Sequence, residues 1–558
     1  MLNILRCAPS ESIQLEFVIE KHKPSRSFAG IAGIIAAATL ISKVFGLVRQ
    51  QVVAAAFGLG AAADAFNYAY MIPGFLLILL GGINGPFYSA VVSVIAKRNK
   101  EEAAPVVETI TTLVGGILLL VSVALVFAAP FLIDVFASGL QAPGKELARA
   151  IAIEQLRIMA PLAVLSGLIG IGFGALNAAN QFWLPSVSPL LSSITVIVGV
   201  GILYFQVGKQ ISQPQYAMLG GAVLAGGTLA GAFLQWFVQI AAQAKSGMGK
   251  LRLRFDFNQP GVQDILKIML PATFSSGMLQ INLATDLYFA SWLPITGVAA
   301  ALSNAGLLVQ TPLGIISNVI LVPLLPIFAR LAAPENWQEL KLRIRQGIIL
   351  CGFTMLPLGA LMIVLSETIV RVVYERGAFT VKDSNLVTSL LIANGIGMFV
   401  YLVRDVLVRV FYALGDGETP FRISMFNILL NALLDWVFTQ PLGLGAPGLV
   451  LATVGVNCNS VLMLLFFLNR KLNGLPLQEW SIPILGFAGG SLVAGGASFA
   501  TLEVSQRFLG SEGLLIKLLQ LSVSGLVGLG VFIVIASGMK IPEVQAFLGR
   551  MSQRFRRK

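Results

Sequence analysis

The chain has 558 residues, 56% hydrophobic and 11% charged, with a net charge of +12 and a mean hydropathy of +0.84. Soluble domains carry about 25% charged residues, so a soluble enzyme is excluded, and the apolar content excludes a disordered chain. What remains is an all-α polytopic membrane protein, because lipid leaves unpaired backbone groups without partners and a β-barrel would show short alternating segments.

Residues 1–26 are polar, lack the apolar core of a secretory signal and read as a cytoplasmic tail. Apolar segments follow near 28–57, 62–96, 106–136, 150–179, 183–205, 217–242, 261–293, 295–329, 342–373, 384–414, 420–440, 446–468, 481–501 and 514–538. At roughly 20 residues per crossing, these are 14 expected spans. Numbering the loops alternately from an inside N-terminus puts 24 of the 38 basic residues inside and six outside. The positive-inside rule then places both termini in the cytoplasm. The charge is a topology signal, so no nucleic-acid partner is expected.

The longest polar connection, 243–260, is basic and divides the chain into an N-lobe at 27–242 and a C-lobe at 261–470. Two more spans occupy 471–540, and a basic cytoplasmic tail follows at 541–558. Two six-helix lobes plus a C-terminal helix pair is the expected architecture. Mid-span prolines at Pro73 and Pro86 in the second helix and Pro312 in the eighth mark gating or hinge positions, as broken helices do in transporter repeats.

The only histidine, His22, and the separated Cys7, Cys351 and Cys458 offer no zinc, haem or disulfide framework, and no cofactor is expected. No GxxxxGK[ST] loop is present, so energy must come from H+, Na+, the membrane potential or substrate flux.

Charges inside the spans carry the functional signal, since a central charge costs about 2.5–3.5 kcal/mol on insertion scales. Lys43 falls midway along the first helix and Arg49 in its outer half. Gly46 lies between them and permits local distortion. Two cations at different depths suit an anionic substrate, a diphosphate above all; an ion pair of either with Asp64, or a role in holding helices together, is the structural alternative. Asp64, Asn84 and Asp286 are candidates for a cavity or coupling role. Arg404, Asp405 and Arg409, and the pair Asp264 and Lys267, read as structural pairs.

The stretch Thr39–Gly58, the following Ala63-Asp64-Ala65-Phe66 and Ile72-Pro73 resemble the opening of the MurJ (MviN) family, within the multidrug/oligosaccharidyl-lipid/polysaccharide exporter superfamily. Tyr374–Thr380 (YERGAFT) and Arg409–Pro420 (RVFYALGDGETP) resemble it too. The resemblance covers nearly all of the chain from about residue 27. It implies a flippase for lipid II, a polyprenyl diphosphate bearing the peptidoglycan precursor, working by alternating access in the bacterial plasma membrane. It implies that Lys43 and Arg49 hold the diphosphate, that the terminal helix pair forms a groove for the lipid tail, and that membrane lipids and cell-wall synthesis machinery are partners. The sequence departs from the family pattern at Leu76–Ile78 and at Gly306 or Leu307, where arginines are usual, and at Asn84, where an acid is usual. Flipping of another polyprenyl-diphosphate-linked glycan, ion-coupled drug export and a non-transporting scaffold are the alternatives.

Overall fold

The computed structural model describes residues 28–82, 85–277, 281–510 and 513–545, and among them nineteen α-helices account for most of the backbone. The expected tail 1–26, Asn84 and the basic residues beyond 545 lie outside the described residues. In the N-lobe the helices are α1 (Phe28–Phe57), α2 (Ala61–Gly81), α3 (Pro86–Ile95), α4 (Lys100–Phe136), α5 (Glu146–Met159), α6 (Leu162–Ala178), α7 (Trp183–Val187), α8 (Leu190–Val207) and α9 (Pro214–Lys245). Next come α10 (Pro260–Gly277), α11 (Ile281–Trp292), α12 (Val298–Arg330), α13 (Trp337–Val364), α14 (Ser366–Tyr374), α15 (Val381–Ala413), α16 (Glu418–Thr439) and α17 (Ala446–Lys471). The terminal pair is α18 (Leu477–Leu509) and α19 (Leu514–Gly538).

Among the described residues, 12 helices are long and apolar enough to cross a membrane, or 13 if the bent pair α5–α6 is one span. The chain is a multi-pass membrane protein. The expected fourth span, 150–179, is this pair, bent by 42° where Pro161 precedes α6. Within the expected seventh span, 261–293, the described helices are α10 and α11, of 18 and 12 residues. Helix α10 packs on α3 of the N-lobe, and α11 packs both on α16 of the C-lobe and on the Ser138–Gln141 turn of the N-lobe.

Close helix approach rests on small residues, the usual device where lipid removes the hydrophobic drive between helices. A Cβ on Gly170 of α6 would lie 1.9 Å from the Leu80 carbonyl of α2, and one on Gly231 of α9 would lie 2.4 Å from Ser192 Cα of α8. The pair α18–α19 lies against α13 and α14, leaving Leu492, Leu526 and Val534 exposed at 77%, 70% and 72%.

Candidate functional site: a cavity between the lobes

The bonds that join α1 and α2 to α12 and to the YERGAFT loop gather at the end that carries the α1–α2 turn. Asp64 of α2 is buried, and its Oδ1 accepts hydrogen bonds from the N–H groups of Ala299 (2.9 Å) and Ala300 (3.2 Å). A carboxylate from one lobe thus caps α12 of the other, satisfying N–H groups that have no partner inside their own helix. Gly297, with φ of 87°, precedes α12, and a Cβ there would sit 2.5 Å from the Leu59 carbonyl. Nearby, Gln50 Nε2 donates to Asn304 Oδ1 (2.6 Å), and the Tyr374 hydroxyl donates to the Asn304 carbonyl (3.1 Å).

The YERGAFT loop docks on the end of α1. Ala378 N–H donates to the Ala55 carbonyl at 2.8 Å. A Cβ on Gly377 would lie 2.3 Å from Ala55 O, and one on Gly58 would lie 2.6 Å from Ala378 O. Thr380 and Asp383 form a capping box that starts α15. On the same side, Lys145 Nζ donates to the carbonyls of Ser291 (2.8 Å) and Leu293 (2.6 Å), a lysine at the C-terminal end of α11. Burial pulls the Lys145 ammonium below its ordinary pKa, and nearby Asp64 opposes that shift.

Below this seal lies a cavity of about 620 Å³, lined by both lobes. Arg49, Gln50, Asn67 and Tyr70 line it from the N-lobe; Asp286, Gln310 and Tyr401 are among the C-lobe residues. Among the described residues, Arg49 is the only basic side chain on its wall and Asp286 the only acidic one. Gly46 also lines it, one turn from Arg49. Neither Lys43 nor Asp64 does. Lys43 is exposed on α1 and lies against α12, where a Cβ on Gly314 would sit 2.9 Å from its Nζ. Among the described residues, Asp64 pairs with neither Lys43 nor Arg49, so the ion-pair alternative is not what the geometry shows; Asp64 is a cap. Ile78, Gly306 and Leu307, among the positions where the resemblance led us to expect arginine, line the cavity too, whereas Leu76 and Leu77 do not. Pro73 lies inside α2 and Pro312 inside α12, while Pro86 opens α3 after the break that follows α2.

Asp286 has partners that sequence reasoning missed. Its Oδ1 accepts from Asn431 Nδ2 (2.9 Å) and its Oδ2 from Thr453 Oγ1 (3.2 Å). The same Asn431 Nδ2 donates to Asp435 Oδ2 (2.8 Å). Asp435 is fully buried, and its Oδ1 and the Asn431 Oδ1 have no hydrogen-bond partner. Two carboxylates and an amide oxygen converging beside a cavity form an oxygen-rich cluster suited to a hard cation or a shared proton. The spacing of Asn431 and Asp435, one helical turn, was the available signal.

The sequence model of the family described as Lipid II flippase MurJ matches residues 53–519. The probable lipid II flippase MurJ of Synechocystis sp. is 55% identical over 535 residues, covering 96% of this chain and 99% of its own. The chain belongs to the lipid II flippase MurJ family. A probable lipid II flippase MurJ of Vibrio cholerae is 29% identical, over 92% of this chain and 97% of its own. A solved structure of lipid II flippase MurJ in an inward closed conformation shares the fold, with a TM-score of 0.72 at 24% identity over 90% of this chain and 98% of that one. A multidrug resistance MATE family transporter of the MOP superfamily, inward-facing, aligns with a TM-score of 0.57 at 17% identity over 79% and 98%. The MurJ resemblance carried by the α1 and YERGAFT segments therefore extends through both lobes and the terminal pair.

Proposed function

We propose that the chain flips lipid II from the inner to the outer leaflet of the bacterial plasma membrane by alternating access. The basic end, with both termini, faces the cytoplasm, and the α1–α2 end faces outward. The observation that carries this reading is the two-lobed cavity with Arg49 on its wall, in a chain of the MurJ family. Arg49 receives the diphosphate, and Lys43, at the α1–α12 contact nearer the cytoplasm, meets it first. A guanidinium takes phosphate oxygens two at a time, an ammonium as a point charge. The state described here is sealed outward by Asp64 and the YERGAFT loop, so release requires the lobes to part there. The exposed face of α18 and α19 suits the polyprenyl tail.

Coupling falls to the cluster of Asp286, Asn431, Asp435 and Thr453. Its unpartnered oxygens are supplied by Na+ or H+, and the cluster stands at the cavity, where occupancy alters the substrate's surroundings. Transport driven this way needs no cofactor.

A second reading is flipping of another polyprenyl-diphosphate-linked glycan. The apolar Ile78, Gly306 and Leu307 on the wall favour a headgroup that needs fewer cationic contacts. The test is lipid II exposure on the outer leaflet of cells depleted of their own flippase and expressing wild type, Lys43→Ala or Arg49→Ala. Restored exposure that fails in the variants supports lipid II transport through these cations. Good membrane expression with no restoration by wild type moves the reading to the other glycan.

A further inference from the structure

The segment joining the lobes holds a pattern that transport does not use. Lys250-Leu251-Arg252-Leu253-Arg254-Phe255-Asp256-Phe257 alternates charged and apolar residues without a break. From Arg252 to Asp256 it is neither helix nor turn, and in a non-helical run such alternation places the two kinds of residue on opposite faces. Leu251, Leu253 and Phe255 are exposed at 66%, 80% and 68%. The rings of Phe255 and Phe257 meet edge-on at 6.0 Å, so the apolar face is continuous.

The segment is held in place on α4. Lys250 N–H donates to Glu108 Oε1 (2.9 Å), and Arg254 N–H donates to Thr112 Oγ1 (3.1 Å). Arg254 also faces Glu108 at 3.8 Å. These anchors fix its depth. Within the uncharged run Thr109–Ile133 of α4, the 21 residues that follow the threonines at 109, 111 and 112 span about 30 Å at helical rise, the hydrocarbon thickness of a bilayer. Thr112 therefore marks the hydrocarbon boundary at the basic end, and Glu108 lies one turn outside it. A segment bonded to both lies in the headgroup layer. In water, three large apolar side chains exposed side by side would be unfavourable; at that depth they reach acyl chains while the basic residues stay among the phosphates.

We infer that residues 250–257 are a lipid-binding strap. Leu251, Leu253 and Phe255 insert at the hydrocarbon boundary, and Lys250 and Arg252 bind the phosphates of anionic phospholipids in the leaflet at the basic end. Arg254 is committed to Glu108 and positions the strap. The strap lies outside the cavity, so its occupant is a bilayer phospholipid and not the transported lipid.

The experiment uses the full-length chain in vesicles of phosphatidylcholine, with and without phosphatidylglycerol. A photo-crosslinking phenylalanine analogue replaces Phe255, and the adducts are identified by mass. The expected result is a lipid adduct, enriched in phosphatidylglycerol over its share of the bilayer. With about 1 kcal/mol per basic residue near an anionic surface, Lys250→Gln with Arg252→Gln should lower that enrichment by up to roughly 30-fold, while the apolar adduct persists. Spin labels at 251, 252 and 253 give a second measurement. Positions 251 and 253 should favour collisions with oxygen, and 252 with aqueous nickel. No lipid adduct, or nickel access equal at all three positions, overturns the strap. An adduct whose lipid composition matches the bilayer in both wild type and the double variant overturns the recognition of anionic lipid.

Discussion

Lys517 on the last helix lies 3.6 Å from Glu375, at the start of the loop that closes over the end of α1. The same carboxylate accepts a hydrogen bond from Ser384 Oγ (2.8 Å) and stands 3.4 Å from Arg371 Nε. Both Lys517 and Glu375 are mostly buried, at 19% side-chain exposure. The appended pair is thereby tied to the element whose Ala378 N–H meets Ala55, and the tie makes α19 part of the outward seal.

Disulfide formation between Ala55→Cys and Ala378→Cys reports on that seal. Adding Glu375→Gln should slow it roughly fivefold, the equivalent of about 1 kcal/mol for an ion pair of this kind. Lys517→Gln should slow it less, because Glu375 keeps Arg371 and Ser384. Equal rates in all three would show that the contact with α19 does not bear on the seal.

Asp64→Ala removes both hydrogen bonds to the start of α12, and a lost cap costs about 1 kcal/mol. A cysteine at Ser303, on the cavity wall, should then react about fivefold faster with a membrane-impermeant thiol reagent added on the α1–α2 side. Asp64→Asn keeps an acceptor oxygen and should react like the parent. A fast Asn variant would assign the effect to charge rather than capping.

In the oxygen cluster, Asp286→Asn and Asp435→Asn each remove one anionic ligand. Each should reduce the affinity for the coupling cation on the order of tenfold, the equivalent of about 1.4 kcal/mol for a charge-assisted contact. The measurement is lipid II exposure as a function of imposed sodium and proton gradients. A variant that retains the parent's dependence on both gradients would remove the cluster from coupling.

Packing between α2 and α6 gives a stability test. Gly170→Ala places a methyl 1.9 Å from the Leu80 carbonyl, so the helices must separate, at a cost of roughly 1–3 kcal/mol. Gly226→Ala meets nothing within 4 Å and is the control. Thermal midpoints in detergent should fall for the first and hold for the second.

Acid should loosen the link between the α15–α16 turn and the end of α17. Burial pushes Asp416 up, but Lys471 Nζ at 2.7 Å and two hydrogen bonds from Thr419 prevail and hold its carboxyl below the ordinary 3.8. A depressed folded pKa means that the contribution is fully present above the unfolded value and disappears as pH falls through the folded one. The midpoint of the parent should therefore drop as pH goes below about 4, more steeply than that of Asp416→Asn.

Much of this was legible from residues alone. The spans announced themselves as apolar runs, and Lys43 and Arg49 stood out because a cation inside such a run needs a reason. Pro161 was a visible sign of the α5–α6 bend that a run of apolar residues concealed. What α10 and α11 pack against was harder to see, because the neighbours each one meets are far away in sequence. Asn431 and Thr453 are ordinary polar residues until α11 brings Asp286 beside them. Asp64 read as a cavity acid because its true partners are backbone N–H groups 235 residues away, and no side-chain pattern records those.

The seal at Gly58 and Gly377 has a consequence for how the lobes move. Two main chains meet there at a separation that only hydrogen substituents allow. Flexible side chains can stretch and keep partial contact; close-packed backbones cannot, since attraction is lost within an ångström of separation. The junction therefore behaves as a latch with two positions, engaged or free. A single methyl group at either glycine becomes a doorstop, and the pair offers a way to hold the door ajar without touching the cations within.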